Sequence, residues 1–423
     1  MIGIVGAGLT GLALAHELAK QGLEHVVFEA AGQPGGVIRS GRVEGRVLDW
    51  GPQRGRMTAG LAALVEELGL AAEVIYAPRG LPLYVYADGA LREVPFSART
   101  FLTADLLTWR GKLRVALEPL TSAPRDEERV AGLLSRKLGR EAYERLIGPL
   151  YGGLYASDPA NMVVGLSLGH VLREFGIRRS LLLPLVKRGG AIEPPAACSF
   201  AGGMQALTDA LHATHAGAVR LGTPVRGLAR SGGGWTLELD DGGVEAEVVV
   251  LTCEAPAAAA LLSTAAPEAA DRIRRLAYNP LGVVHLHAET DLRGLGYQVA
   301  MGEALATRGV TWNDSLFGRD GLHTAYLGGA KCPAVVGEPD EQLGEIAARE
   351  FRLVTGHDAR VLSVARERMP AWDLSWRALE GLALPPGIRI AANWQSRPGI
   401  PGRLAQAKAL ARDLSRFGHS SHP

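Results

Sequence analysis

The sequence predicts an α/β fold: a Rossmann-like domain joined to a mixed α+β domain and a helical insertion. Three observations lead to this prediction. The chain opens with a short apolar strand, a glycine-rich turn and an apolar helix, which is the start of a βαβ unit. Strand signals return in the second half, and a mainly helical stretch separates the two regions. The 423 residues exceed one ordinary domain, so we expect two or three domains.

Three glycines stand between the first strand and the first helix. Ile2 to Val5 suits a buried parallel strand, and Leu9 to Gln21 has apolar residues at helical spacing without a proline. The glycines fill a G-x-G-x-x-G pattern, which permits a tight turn, close approach of a pyrophosphate and close helix packing. Free N–H groups at the helix start also favour an anion. We therefore expect this turn to bind a dinucleotide, through Gly6, Ala7, Gly8, Leu9, Thr10 and Gly11.

An acidic residue ends the second predicted strand. His25 to Phe28 forms that strand, and Glu29 and Ala30 follow it. An acid about 20 residues after the glycines can accept hydrogen bonds from ribose hydroxyls. This favours an unphosphorylated adenosine ribose, as in FAD or NAD, over NADP. An ordinary glycine-containing βα turn is the simpler alternative, but it does not require the strand, helix and acid to be in register.

Composition and charge exclude several classes of protein. The 45 basic and 44 acidic residues nearly cancel, which argues against a nucleic-acid binder. Cys198, Cys253 and Cys332 are too few and too scattered for a disulfide framework or a cysteine metal cluster. The chain begins in its first strand, and no apolar run reaches the length of a membrane span. We expect a cytoplasmic protein, and leave open peripheral contact with the inner face of the cell membrane and a homodimer.

Pattern changes along the chain suggest three domains. A helix is predicted from Ala59 to Leu70, and "LPLYVYADGALREVP" is typical of a β-hairpin. Residues 97–185 are mainly helical in pattern, "GWTLELDDGGVEAEVVVLT" predicts a second hairpin and a buried strand, and 275–365 suggest mixed strands and loops. We expect a discontinuous nucleotide-binding domain (1–75, 200–270 and 366–423), a substrate-binding domain (76–96 and 271–365) and a helical domain (97–199).

A second glycine pair indicates which dinucleotide binds. In "EAAGQPGGVIRS", Gly35 and Gly36 are followed by Arg39, and "GPQR" comes shortly after. This arrangement resembles the FAD proteins of the flavin amine oxidase superfamily. Within that superfamily the chain is similar to the protoporphyrinogen and coproporphyrinogen oxidases, through "PLYGGLYASDPANM", "SFAGGMQALTDAL", "VTWNDSLFGR" and "RMPAWDLSW". The match runs over most of the chain, although the chain is shorter than typical members and "RMPAWDLSW" lacks a residue relative to them.

The resemblance implies a set of FAD contacts. It places Glu29 on the adenosine ribose, Gly35, Gly36 and Arg39 at the pyrophosphate, and Val225 at the adenine. Plain packing of Val225 in a core strand is the alternative. Val37 would lie beside the cofactor, and the flavin ring would be flanked by Gly51, Pro52, Gln53 and Arg54, by Trp376 (or Trp372), and by Ile400, Pro401 and Gly402. For both tryptophans, core packing is an equal alternative. Gln53 also stands where some members carry a basic residue.

The same resemblance implies oxidation of a porphyrinogen, with dioxygen or another acceptor reoxidising the flavin. No catalytic base is apparent in the sequence. Arg79 and Arg54 are the candidate partners for the propionates of the substrate, because arginine binds carboxylates in a bidentate way. Arg308 and Lys331 are the other cations that we place near the substrate, and this small number favours protoporphyrinogen IX, with two propionates, over coproporphyrinogen III, with four. His285 and His287 share a strand face, which suggests either a ligand pair or an ordinary polar face.

Three further interpretations stay open at this level. The chain could be an amine-oxidase-like flavoprotein that acts on an amine or a carotenoid. It could be a protein that holds FAD for binding or assembly without turnover. Within the helical region, "RRSLLLPLVKR" suits either a contact with anionic lipid or a cover for the substrate cavity.

Overall fold

The computed structural model of the protein describes residues 1–187, 195–396 and 399–419. Its strands are β1 (Ile2–Val5), β2 (His25–Phe28), β3 (Ser40–Val43), β4 (Arg46–Asp49), β5 (Gly55–Arg56), β6 (Val74–Tyr76), β7 (Leu83–Ala87), β8 (Ala90–Glu93), β9 (Ala197–Phe200), β10 (Val219–Arg220), β11 (Gly227–Ser231), β12 (Gly234–Leu239), β13 (Gly242–Ala246), β14 (Val248–Leu251), β15 (Tyr278–His287), β16 (Gly296–Val299), β17 (Thr307–Trp312), β18 (Leu322–Gly328), β19 (Arg360–Pro370) and β20 (Ile388–Ile390).

The α-helices alternate with these strands and fill the middle of the chain. They are α1 (Leu9–Lys20), α2 (Ala59–Glu67), α3 (Ala98–Thr103), α4 (Trp109–Ala116), α5 (Val130–Leu138), α6 (Arg140–Ala142), α7 (Gly148–Tyr155), α8 (Gly169–Glu174), α9 (Leu182–Lys187), α10 (Gln205–Thr214), α11 (Ala255–Ala265), α12 (Pro267–Arg274), α13 (Asn313–Phe317), α14 (Asp340–Thr355) and α15 (Ile400–His419). Two π-helical turns, Tyr143–Ile147 and Val164–Leu168, interrupt the helical region.

A five-stranded parallel sheet forms the first layer, in the order β10-β2-β1-β14-β20. Its central strands are apolar and buried on both faces, as expected for a parallel sheet covered on two sides. Helices α1, α10 and α15 pack together over one face, and the antiparallel sheet β11-β12-β13 covers the other. The sheet draws strands from the three separate parts of the chain predicted for nucleotide binding. The predicted α/β class is confirmed.

A seven-stranded mixed sheet forms the second layer, in the order β19-β15-β18-β17-β16-β7-β8. The predicted hairpin is present as β7 and β8, which pair across the turn at Asp88 and Gly89. Helix α14 packs on one face of this sheet through Leu343, Ala347 and Phe351. The mixed strands and loops predicted between residues 275 and 365 are present, together with α13 and the 16-residue α14, which that pattern had not identified.

Helices α3 to α9 form the helical region, which lies between β8 and β9 in the sequence. Strand β9 begins inside the segment predicted as helical and pairs with β5 and β6, while β19 runs across the boundary predicted at residue 366. The division into three domains stays a prediction. The segment "RRSLLLPLVKR" leads into α9, and its last residue lies outside the described residues. Within the described ranges, no helix has the length and apolar character needed to cross a membrane.

Candidate functional site

The first glycine turn has the backbone geometry of an anion-binding loop. Gly6 has φ +111°, a conformation that side chains disfavour, and a Cβ at Gly11 would lie 2.0 Å from the Gly6 carbonyl oxygen. Gly8 is the N-cap residue of helix α1. Because it has no side chain, no side-chain cap occupies the first N–H groups of the helix. Around Gly8 the backbone is bare, since a Cβ there would meet only the Gly35 oxygen, at 4.0 Å. The turn therefore leaves room for a phosphate against the helix N-terminus.

The second glycine pair packs directly on the first turn. Gly35 donates its N–H to the Ala7 oxygen at 2.9 Å, and the two segments pair between Gly8 and Gly35. Gly36 has φ +60°, and a Cβ on it would lie 3.3 Å from the Cα of Gly8. Both turns thus present backbone without side chains on the same side. Together they form one cradle of bare backbone, and side chains at Gly35 or Gly36 would crowd it.

Glu29 is held in place by two backbone N–H groups. Its Oε2 accepts a hydrogen bond from Ala7 N at 2.7 Å, and its Oε1 accepts one from Ala31 N at 2.9 Å. The carboxylate therefore sits at the carboxyl end of β2, directly beside the glycine turn, where ribose hydroxyls would reach it. Ala30 next to it is exposed.

Val225 lies in the loop between β10 and β11, next to the Glu29 turn. Thr223, two residues earlier in that loop, donates its N–H to the Glu29 carbonyl oxygen at 2.8 Å. Val225 itself is partly buried against the large hydrophobic core that covers the sheet. The position agrees with either an adenine contact or core packing, so the adenine contact stays a prediction.

The "GPQR" segment joins the cofactor side to the seven-stranded sheet. A Cβ at Gly51 would lie 2.0 Å from the Val37 oxygen, so the two loops touch through backbone. Gln53 is buried, and its amide donates to the oxygens of Asp49 and Gly51. Its Oε1 accepts from Asn313 Nδ2 at 2.8 Å and Thr324 Oγ1 at 3.0 Å. The Gln53 side chain is therefore occupied in fixing the loop, whereas Pro52 is half-buried and Val37 is 43% exposed.

A buried ion pair behind this loop was not predicted. Arg319 Nη1 donates to Asp49 Oδ2 at 2.5 Å, and its Nη2 donates to Ser199 Oγ at 2.8 Å. Both charged side chains are almost fully buried. The other carboxylate oxygen of Asp49 accepts the N–H of Met204 at 2.8 Å and a hydrogen bond from Ser40 Oγ. The pair holds β4, and with it the start of "GPQR", against the second sheet.

The two arginines predicted near the cofactor differ in their partners. Arg39 forms an ion pair with Glu367 of β19, and its contact with a pyrophosphate stays a prediction. Arg54 is partly buried, and its Nη1 is fully buried without a hydrogen-bond partner. Burial lowers the pKa of Arg54, and the like charge of Arg56 lowers it further. A buried guanidinium with an unused N–H group is costly unless an anion binds it.

The two candidate tryptophans stack on each other inside the protein. Their ring centroids lie 5.3 Å apart with an interplanar angle of 23°. Trp376 is only 3% exposed, and its indole N–H donates to the Trp394 oxygen at 2.8 Å. Trp372 is also buried, has the positive φ of +51°, and has no partner for its indole N–H among the described residues. Core packing accounts for both rings, and a flavin contact of either stays a prediction.

The predicted C-terminal contact lies at the start of α15. Ile400 is the first residue of the helix and is buried against Gly55, and Pro401 and Gly402 follow half-buried in the first turn. This places a helix N-terminus, rather than a loop, at the predicted flavin position. The preceding residues 397–398 lie outside the described residues. Helix α15 packs against α1 of the glycine turn, which brings the two ends of the chain together.

The other cations expected to bind substrate are exposed or already bonded. Arg79 lies in an exposed turn between β6 and β7. Arg308 donates to backbone oxygens, including that of Leu305 at 3.3 Å. Lys331 forms an ion pair with Asp158 at 3.1 Å. Two of the three therefore have partners within the protein.

The histidine pair on β15 does not behave as a metal site. His285 is fully buried, its Nε2 hydrogen-bonds the Asp49 oxygen at 2.9 Å, and burial lowers its pKa to about 4. His287 Nε2 lies 2.9 Å from Arg46 Nη2, a cation that a metal ligand would not have as a partner. Across the part of the chain that the structure describes, no group of three metal-ligating side chains is present. The three cysteines are free.

These residues fit FAD. The double glycine cradle matches a pyrophosphate, Glu29 matches a ribose, and the first turn of α15 and the "GPQR" segment lie at the carboxyl-end side of the same sheet. In open α/β sheets a dinucleotide binds at the carboxyl ends of the strands, and here the residues of the two glycine turns and Glu29 would hold it.

Comparisons with known proteins agree with this site. The family model for flavin containing amine oxidoreductase matches residues 9–389. The chloroplastic protoporphyrinogen oxidase of Nicotiana tabacum is 28% identical over 391 residues, which cover 82% of this chain and 71% of the relative. Coproporphyrinogen III oxidase of Bacillus subtilis (strain 168) is 25% identical over 460 residues, which cover 98% of this chain and 97% of the relative.

Solved structures show the same fold. A crystal structure of a protein from Exiguobacterium sp. 255-15 superposes with a TM-score of 0.79 at 23% identity, covering 98% of both chains. Cyclohexylamine oxidase from Brevibacterium oxydans IH-35A superposes with a TM-score of 0.70 at 16% identity, covering 98% of this chain and 99% of that one. The chain therefore belongs to the flavin containing amine oxidoreductase family, and it is an FAD-dependent oxidase.

Proposed function

We propose that the protein oxidises protoporphyrinogen IX to protoporphyrin IX, a step of haem biosynthesis, and passes the electrons to dioxygen. The family match supports a flavin-dependent oxidation, and the curated relatives named above support a porphyrinogen as the reduced substrate. When bound, the flavin supplies the two-electron acceptor for the oxidation. What remains for the protein is to bind the porphyrinogen ring, orient it and exclude water.

The seven-stranded sheet offers a face for such a ring. On β18, Ala325 and Leu327 pack towards α14, while Thr324 bonds to Gln53 of the "GPQR" segment. Since side chains alternate along a strand, Tyr326 lies on the same face as Thr324, towards the cofactor side. We infer that this neutral face holds the substrate ring against the flavin position.

The choice between the two porphyrinogens depends on how many cations are free to neutralise propionates. Coproporphyrinogen III has four propionates to neutralise, whereas protoporphyrinogen IX has two. Of the four cations placed near the substrate, Arg308 and Lys331 are bonded within the described part of the protein, which leaves Arg54 and Arg79 for propionates. Each buried carboxylate without a partner would cost several kcal/mol, on the order of the effective desolvation penalty of one ion. This shortage of free cations favours the substrate with fewer carboxylates.

Coproporphyrinogen III is the second candidate. The relative from Bacillus subtilis with that name matches both chains nearly from end to end, whereas the Nicotiana tabacum relative is covered over 71% of its length. Length agreement thus favours coproporphyrinogen, and the cation distribution favours protoporphyrinogen.

Steady-state turnover of both porphyrinogens under identical conditions tests the proposal. Porphyrin fluorescence reports product, and oxygen uptake reports the acceptor. We expect a higher kcat/KM for protoporphyrinogen IX and oxygen consumption in proportion to the porphyrin formed. A higher kcat/KM for coproporphyrinogen III would reverse the substrate choice. Porphyrin formation without oxygen uptake would exclude dioxygen as the acceptor.

A further inference from the structure

Arg54 is a cation at the junction of the cofactor side and the second sheet. It follows Gln53, whose amide is bonded to Asn313 and Thr324, and it precedes β5. Its Nη1 is fully buried, and no carboxylate within the described residues forms an ion pair with it. Asp49, the nearest acid along the chain, is already bonded to Arg319, Ser40 and the N–H of Met204.

The surroundings of Arg54 make its charge expensive. Arg56, two residues along the chain, adds a like charge, and burial lowers the pKa of Arg54. On the second sheet, burial raises the pKa of Tyr326 to about 12, and the Arg54 charge opposes that rise. The guanidinium is therefore within electrostatic range of Tyr326, on the face of β18 on which we place the substrate. A buried cation that has no internal anion is normally retained for a ligand that brings one.

We propose that Arg54, through its buried and unpartnered Nη1, binds one carboxylate of the substrate. The inference rests on the proposed function, because it takes the ligand to be the propionate of a porphyrin ring. Arg54 differs from the other candidate cations in its surroundings. Arg308 and Lys331 are bonded within the protein, and Arg79 lies in an exposed turn. Arginine suits this role because its planar fork binds a carboxylate with two parallel hydrogen bonds.

Equilibrium binding of the product to the holoenzyme tests this assignment without turnover. The probes are protoporphyrin IX and its dimethyl ester, titrated in the same detergent and followed by porphyrin fluorescence. Arg54→Gln removes the charge and keeps a hydrogen-bonding group. We expect the free acid to bind roughly 30-fold more weakly to this variant than to the wild type, as for other broken buried charge pairs. We expect the ester to bind to both proteins with nearly the same affinity.

Arg56→Gln is the matched control. Arg56 is the neighbouring arginine, and it donates to the Pro195 oxygen at 3.2 Å. Its replacement should leave the binding of both probes nearly unchanged. A second measurement, the melting temperature of FAD-free Arg54→Gln, should equal or exceed that of the wild type, because the variant loses a buried unpaired charge.

Three results would overturn the inference. Equal losses of affinity for the free acid and the ester would mean that Arg54 contributes to the shape of the binding site and not through its charge. Reduced FAD content or a shifted flavin reduction potential in Arg54→Gln would assign it to the cofactor. A lower melting temperature would mean that it stabilises the fold. The proposed function is tested separately by turnover of protoporphyrinogen IX by the wild type. If Arg54→Gln lost affinity only for the free acid but the wild type did not oxidise protoporphyrinogen IX, the carboxylate site would stand and the proposed reaction would be rejected.

Discussion

Gly8→Val should separate cofactor binding from folding. Gly8 has φ −72° and ψ 176°, which any residue can adopt, and a Cβ there would meet only the Gly35 oxygen, at 4.0 Å. The free energy of unfolding of the FAD-free protein should therefore change by less than about 1 kcal/mol. The valine side chain would occupy the space that a pyrophosphate oxygen needs in order to lie about 2.9 Å from the backbone N–H groups.

Each charge-assisted hydrogen bond lost in this way costs about 1.5–3 kcal/mol. The dissociation constant for FAD should therefore rise roughly 10- to 150-fold per bond lost. Quenching of flavin fluorescence, titrated with protein stripped of its cofactor, measures this constant. Gly8→Val with the wild-type affinity for FAD would show that the glycine cradle does not hold the pyrophosphate.

Gly11→Ala is the matched control for that experiment. A Cβ at this position would lie 2.0 Å from the Gly6 oxygen and 2.9 Å from Thr252 Oγ1, so the turn must move to admit it. We expect a loss of stability of about 1–3 kcal/mol even without FAD, as for other overpacked sites. Urea unfolding of the two FAD-free variants compares them directly.

The remaining predictions concern the ribose, the buried ion pair and pH. Glu29→Gln should weaken FAD binding about tenfold or more, measured by the same titration, since the charge that accepts two backbone N–H groups is lost. Asp49→Asn should lower the free energy of unfolding by about 3–5 kcal/mol because Arg319 remains buried and charged. The double variant Asp49→Asn with Arg319→Met should lose less free energy of unfolding, since it removes both charges; urea unfolding measures both. Burial lowers the pKa values of His285 and His323 to about 4, below the ordinary value near 6.5. As the pH falls, these histidines become protonated in the unfolded chain before they do in the folded protein. The free energy of unfolding should therefore fall between about pH 6.5 and 4, by at most about 1.4 kcal/mol per pH unit for each histidine. His323→Leu should reduce this pH dependence, as measured by urea unfolding at several pH values.

Local patterns in the sequence predict the part of the site that depends on close neighbours. Gly6, Gly8 and Gly11 define a turn within six residues, and the geometry of that turn follows from glycine alone. The hairpin at Asp88 and Gly89 is predicted for the same reason. Helix α14 could also have been predicted, because acidic residues fill its first turn and its buried residues recur at helical spacing.

Contacts between distant parts of the chain could not be predicted in this way. The Asp49–Arg319 pair joins residues 270 positions apart, and nothing in either local sequence identifies the partner. The pair between Arg39 and Glu367 is of the same kind, since its partners lie 328 positions apart. The tertiary structure decides which cations are left without a partner, and this is why Arg54 could be distinguished from Arg308 only in the structure.

Anaerobic reduction of the bound flavin tests the central claim most directly. The purified holoenzyme is mixed without oxygen with protoporphyrinogen IX, and in parallel with cyclohexylamine as the amine control. We predict that protoporphyrinogen IX bleaches the flavin absorbance near 450 nm while porphyrin appears, that air restores the absorbance, and that the amine has no effect. Bleaching by the amine, with none by protoporphyrinogen IX or coproporphyrinogen III, would contradict the account.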